Sequence, residues 1–337
     1  MTGVLAPLPV LLPLLGAAAA LLVGRHPRLQ RTVSILVLAG VVAVSVALLL
    51  IADADGAAAV AVGDWPVPVA IVLVVDRLSA LMLVVASTVG LGVLVFAVGQ
   101  GTADGEENTP LSIFHPTFLV LIAGVSYAFL AGDLFNLYVG FEVLLTSSYV
   151  LLTMGGSATR IRAGTTSLTR LGGLAALSPV LGILFFVPAM NLAGIPPFSG
   201  FIGKVGLLDA GVQHGGVLAY VLVGGGVVTS LLTLYAMAKV WNRAFWRPLR
   251  TEADELELSP AEAAGQSAGD ERDEDTEDLP SGRRLPWPMV ATTVVLVVIG
   301  VGLTVVAGPL YGYAQRSAAD LVGGTSYVRA VLPGGTR

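Results

Sequence analysis

Cysteine is absent from the 337 residues, and only 12% of them are charged, about half the share of roughly 25% usual in a soluble domain. Without cysteine there is no disulfide framework, no thiolate ligand for zinc or an iron–sulfur cluster, and no cysteine nucleophile. Histidine is nearly as scarce. His26, His115 and His214 stand far apart at the ends of apolar runs with no ligand spacing, so no metal site is expected. There is also no glycine-rich phosphate loop ahead of a helix and no Ser–His–Asp set that one aqueous pocket could gather, so no cofactor is expected. What remains is a chain that is 55% apolar, with 41 Gly, 19 Pro and a mean hydropathy of +0.84. Its long uninterrupted apolar runs suit lipid as the solvent.

The net charge of −5 combines two unlike populations. Between Glu252 and Asp278 there are 12 acidic residues and one basic residue, Arg272; the rest holds 17 Lys or Arg against 11 Asp or Glu. A basic remainder is what membrane spans with basic cytoplasmic flanks give, and nucleic-acid binding has no support. The acidic stretch 251–284 carries few aromatic or β-branched residues and a strong run of like charge. It is expected to be a disordered cytoplasmic loop.

A bilayer core about 30 Å thick takes about 20 apolar helical residues. On that measure eight crossings are expected, near 4–24, 32–52, 77–99, 113–131, 134–154, 176–209, 216–240 and 287–308. The first lacks a basic region before its apolar stretch and is followed by Arg25, Arg28 and Arg31, so it reads as a retained span rather than a cleaved leader, with its amino end outside. Alternation then puts Arg160, Arg162 and Arg170 on the cytoplasmic side and both termini outside. The sixth run is too long for one straight span and contains Ile195-Pro196-Pro197. If it crosses once, Lys239, Arg243, Arg247 and Arg250 are cytoplasmic, which the positive-inside rule favours.

Pro196 and Pro197 remove backbone donors, and Gly194 and Gly200 loosen the helix around them. Unwound backbone at membrane depth is tolerated only within protein or beside a wet cavity, and ion-translocating proteins use such broken helices. A kink that serves packing alone is the alternative. Most charges near the spans are terminal: Asp76 and Arg77 open the third, Lys239 ends the seventh, and snorkelling accounts for them. Asp133 marks the turn between the fourth and fifth.

Two ionisable residues lie deep. Glu142 is near the middle of the fifth span, on one helical face with Tyr138, Thr146 and Tyr149, a polar stripe able to hold a short water chain. A carboxylate there must be protonated, paired or wetted. Lys204 follows the break, where burial and a nearby carboxylate act in opposite directions on its charge. Together they suggest a proton relay; satisfied structural roles are the alternative.

The runs Gly132-Asp133-Leu134-Phe135-Asn136-Leu137-Tyr138-Val139-Gly140-Phe141-Glu142, Leu192-Ala193-Gly194-Ile195-Pro196-Pro197-Phe198-Ser199-Gly200-Phe201-Ile202-Gly203-Lys204 and Tyr235-Ala236-Met237-Ala238-Lys239-Val240-Trp241-Asn242-Arg243-Ala244-Phe245-Trp246 resemble the D-type subunit of Mrp-type multisubunit cation/proton antiporters. The antiporter-like membrane subunits of respiratory complex I share the central Glu and the Lys after the broken helix. The resemblance implies a fourteen-span fold with two inverted repeats, a mid-membrane line of Glu and Lys, proton translocation coupled to a monovalent cation such as Na+, and partner antiporter subunits in a prokaryotic plasma membrane. Glu142 matches the family's Glu on its fifth span and Lys204 the Lys on its broken twelfth. Between Thr166 and Ser167 about six spans of that fold are missing.

The expected architecture is therefore an all-α polytopic membrane protein, a truncated version of that fold. Its parts are five amino-terminal spans in 1–166, the broken span and its successor in 167–250, the acidic loop 251–284, and a last span with an external tail in 285–337. A transporter component is expected rather than an enzyme. A proton-pumping complex I-type subunit and a non-transporting structural one are the alternatives.

Overall fold

The computed structural model describes residues 2–63, 65, 70–100, 113–154, 179–246 and 286–331. In chain order these form α1 (Thr2–Leu5), α2 (Leu8–Leu22), α3 (Pro27–Asp55), β1 (Ala58–Val62), β2 (Ile71–Val75), α4 (Arg77–Gln100), α5 (Phe114–Leu130) and α6 (Leu134–Met154). There follow α7 (Pro179–Ala193), α8 (Ser199–His214), α9 (Val217–Trp241) with a π-helical turn at Asn242–Trp246, α10 (Trp287–Val305), α11 (Ala307–Gly323) and α12 (Thr325–Val331). The junction at Thr166–Ser167 and the acidic loop lie outside the described residues.

Six stretches are long and apolar enough to cross a bilayer: Thr2–Leu22, Pro27–Asp55, Arg77–Gln100, Leu134–Leu152, Val217–Trp246 and Trp287–Val305. Phe114–Leu130 and Pro179–Ala193 are shorter apolar helices. Each of the eight expected apolar runs thus has its helix.

The chain divides into two compact units. The first holds residues 1–159, 286–296 and 305–337. Its helix starts are set by local chemistry. Pro27 opens α3 with its ring-fixed φ, and Gly56 ends it at φ +80°. Asp76 and Ser79 cap α4 reciprocally, Ser79 N–H donating to Asp76 Oδ1 at 2.7 Å and Asp76 N–H to Ser79 Oγ at 2.9 Å. Asp133 Oδ1 accepts the Asn136 N–H at 2.8 Å, which turns the chain from α5 into α6 as expected. Those two helices cross closely because glycine permits it: a Cβ on Gly124 would lie 2.8 Å from Leu144 N, and one on Gly140 would lie 3.0 Å from Ala128 N. Three apolar clusters fill the unit, one around Leu48, Leu73, Leu83 and Leu130, one around Leu38, Leu94, Phe118 and Ile122, and a small one at Ala70, Val72 and Val74 along the hairpin.

Two features of this unit depart from the sequence reading. The segment between α3 and α4 is an antiparallel hairpin, Ala58 opposite Val75 and Val62 opposite Ile71, so the fold is mostly rather than wholly helical. Arg77 does not snorkel: its side chain is 16% exposed and donates from Nε to Asp53 Oδ1 at 3.0 Å and from Nη1 to Asp320. The residues after the last span form the two helices α11 and α12. On α11, Arg316 reaches Asp53 at 3.0 Å and buried Tyr313 donates to the Arg77 carbonyl at 2.9 Å.

The second unit comprises residues 160–285 and 297–304. Phe185 of α7 stacks with Trp241 and Phe245, Phe186 meets Trp241 edge-on, and these rings, centroids 4.7–6.4 Å apart, clamp α7 against the end of α9. Outward leucines and valines on α8 and α9, among them Leu207, Leu218 and Leu222, are exposed within the unit, as suits faces solvated by lipid.

Candidate functional site

The break expected around Pro196 lies between α7 and α8 and spans Gly194 to Phe198. The first half-helix ends in a Schellman motif: the Ile195 N–H donates to the Met190 carbonyl and the Gly194 N–H to the Asn191 carbonyl, both at 3.1 Å, with Gly194 at φ +79°. A cis peptide joins Pro196 and Pro197, and the Phe198 N–H closes the turn on the Ile195 carbonyl at 3.1 Å.

The Schellman bonds account for the carbonyls of residues 190 and 191. Those of Leu192 and Ala193 are taken by Lys204, whose Nζ donates to them at 3.0 and 2.9 Å. A half-buried ammonium thus sits on the negative end of the α7 dipole, supplied by the helix beyond the break. Gly194 makes room for it. A Cβ there would stand 2.6 Å from Lys204 Cδ and 3.1 Å from Nζ.

The start of α8 is held in return. Asn191 Oδ1 accepts the Gly200 N–H at 2.7 Å, and the Ser199 N–H donates to Thr304 Oγ1 at 2.9 Å. The Ser199 hydroxyl lies 3.3 Å from Asn191 Oδ1 and 3.4 Å from the Gly300 carbonyl oxygen. Each half-helix therefore answers the unpaired backbone groups of the other; the sequence reading named the break and Lys204 but not this exchange. Asn191 was signalled just by being an amide in an apolar run three residues before Gly194. Thr304 is remote and had no local signal.

Glu142 belongs to the first unit and Lys204 to the second. On α6 the four polar residues do share a face. That face points out of its unit: Tyr138 is 59% and Tyr149 65% exposed, and Glu142 and Thr146 are exposed as well. The opposite face, with Asn136, Gly140 and Ser147, is the buried one. Lys239 lies 5.9 Å from the centre of the Tyr235 ring, a position suited to the end of a span. Among the described residues no group of three His, Cys, Asp or Glu gathers to hold a metal ion.

Residues 153–233, which include the break and Lys204, match the family model described as NADH:quinone oxidoreductase/Mrp antiporter, TM. The D-type subunit of the Na(+)/H(+) antiporter of Alkalihalophilus pseudofirmus is 32% identical over 205 residues, 60% of this chain and 41% of that protein. The resemblance to the D-type component of Mrp antiporters is borne out. The D-type subunit of a probable K(+)/H(+) antiporter of Rhizobium meliloti is 31% identical over 179 residues, 52% of this chain and 30% of its own. This chain therefore spans less than half the length of the curated relatives it matches. A chain in the solved Mrp complex of Dietzia sp. shares the fold with a TM-score of 0.76 at 22% identity, over 98% of this chain and 100% of that one. The antiporter-like fold and the apolar helices make this a multi-pass membrane protein.

Proposed function

We propose that the chain is a subunit of a monovalent cation/proton antiporter of the Mrp type in a bacterial plasma membrane, acting as a transporter component rather than an enzyme, with Glu142 and Lys204 as proton carriers. The observation that carries this reading is Lys204 itself. An ammonium held by two carbonyls at the end of a half-helix can give up its proton and recover it with little rearrangement, because its acceptors are fixed backbone groups. Tyr138, Thr146 and Tyr149 flank Glu142 and offer hydroxyls to a water chain.

The outward face of α6 supports assembly with partner subunits. A carboxylate facing hydrocarbon costs several kcal/mol if charged, so protein or water must cover that face. The names of the relatives favour Na+ as the exchanged cation, with K+ the alternative that one of them carries. The orientation expected from the basic flanks, with both termini outside, completes the proposal.

The test is cation-dependent dissipation of ΔpH in everted vesicles from antiporter-deficient cells that express the chain with its partner subunits. Addition of NaCl should collapse ΔpH, and Glu142→Gln and Lys204→Gln should each slow this by about tenfold or more at unchanged abundance. A signal no greater than that of vesicles lacking this chain overturns the transport reading and leaves a structural role.

A further inference from the structure

Lys204 meets Leu192 and Ala193 only if α8 starts where it does. The Ser199 and Gly200 N–H groups are two of the four orphan donors at a helix start, and inside a span no water is at hand to satisfy them. Asn191 and Thr304 do so, at 2.7 and 2.9 Å. Gly200 seats directly on the last turn of α7, since a Cβ there would fall 1.9 Å from the Asn191 carbonyl oxygen. Lys204 lies four residues further, one helical turn along the same face.

We infer that Asn191 and Thr304 are positioning residues for Lys204: by capping the start of α8 on the end of α7 they deliver the ammonium to the two free carbonyls. This rests on the reading of Lys204 as a proton carrier. A neutral amide suits the task. It accepts from Gly200 as a carboxylate would, without adding a formal charge next to an ammonium that has to change state.

The chain contains only two lysines, Lys204 and Lys239, so Nζ-15N-lysine labelling of the full chain in lipid nanodiscs gives two side-chain ammonium signals, assigned with Lys239→Arg. Hydrogen exchange of the Lys204 ammonium should be slow in the wild type. Asn191→Leu should speed it about tenfold, the loss of about one hydrogen bond, and leave Lys239 unchanged. Asn191→Asp keeps the acceptor and should restore slow exchange. If Asn191→Leu does not fold, Thr304→Val should show the same selective acceleration and Thr304→Ser its reversal. Wild-type exchange at Lys204 in the Leu or Val variant overturns the inference, as does equal acceleration at both lysines. None of these outcomes depends on transport, so a failure here is distinct from a failure of the vesicle assay with Lys204→Gln.

Discussion

A substitution at Gly194 separates the two demands that meet at the break. Its φ of +79° lies in the left-handed region, which costs a side-chain-bearing residue about 1–3 kcal/mol, and an added Cβ would also collide with Lys204 Cδ at 2.6 Å. Gly194→Ala is therefore expected to lower the thermal unfolding midpoint of the purified chain in detergent. It should also slow antiport more than an equally destabilising change remote from the break. A transport rate that falls only in step with protein abundance would show that the ammonium tolerates displacement. At this scale the sequence was informative wherever chemistry is local. Gly194, Pro196 and Pro197 declare a break by what they remove from a helix, and Lys204 declares itself as a charge among apolar residues. Asn191 and Thr304 were hidden because their partners lie 9 residues and 105 residues away along the chain.

The helices were legible as elements because about 20 apolar residues in a row have few other uses in a chain of this composition. The hairpin was not. Ile71-Val72-Leu73-Val74-Val75 is a short continuous apolar run, and neither its length nor its lack of alternation marks it off from the neighbouring spans. Its β-branched content and the Gly63 turn at φ +77° were the available signals. The docking of α11 was equally hidden, since it depends on Asp53, Arg77, Arg316 and Asp320 converging from three helices. That docking has a pH limit. Burial, followed by the negative charge of Asp53, pushes the Tyr313 phenol up from 10 to about 12. The folded state therefore holds this proton more tightly than the unfolded state. Its contribution to stability is complete below about pH 10 and is lost as pH rises towards 12. Protease cleavage after Arg316 should consequently become faster between pH 10 and 12, and Tyr313→Phe should remove that pH-dependent increase while losing the hydrogen bond to Arg77 at every pH. An increase that persists in Tyr313→Phe would assign the limit to another group.

Across the whole molecule, orientation depends on how many times the interrupted segment crosses. With 15 residues in α7 and 16 in α8, neither half reaches the roughly 20 residues of a full span, which supports the proposal that the two together make one crossing. On that proposal Lys239 and Arg243 would be cytoplasmic, as the positive-inside rule expects, and the acidic stretch 251–284 with them. Two crossings would reverse both. The absence of native cysteine makes the distinction direct: a single cysteine at Ser267→Cys, in the midst of that stretch, should resist a membrane-impermeant maleimide in intact cells and react readily once the cells are opened. A control cysteine at Ser317→Cys would be a poor choice, because Ser317 is buried on α11. Val322→Cys, 90% exposed near the end of that helix, is the better reporter of the opposite face and should label from outside. Labelling of Ser267→Cys in intact cells together with protection of Val322→Cys would overturn this orientation.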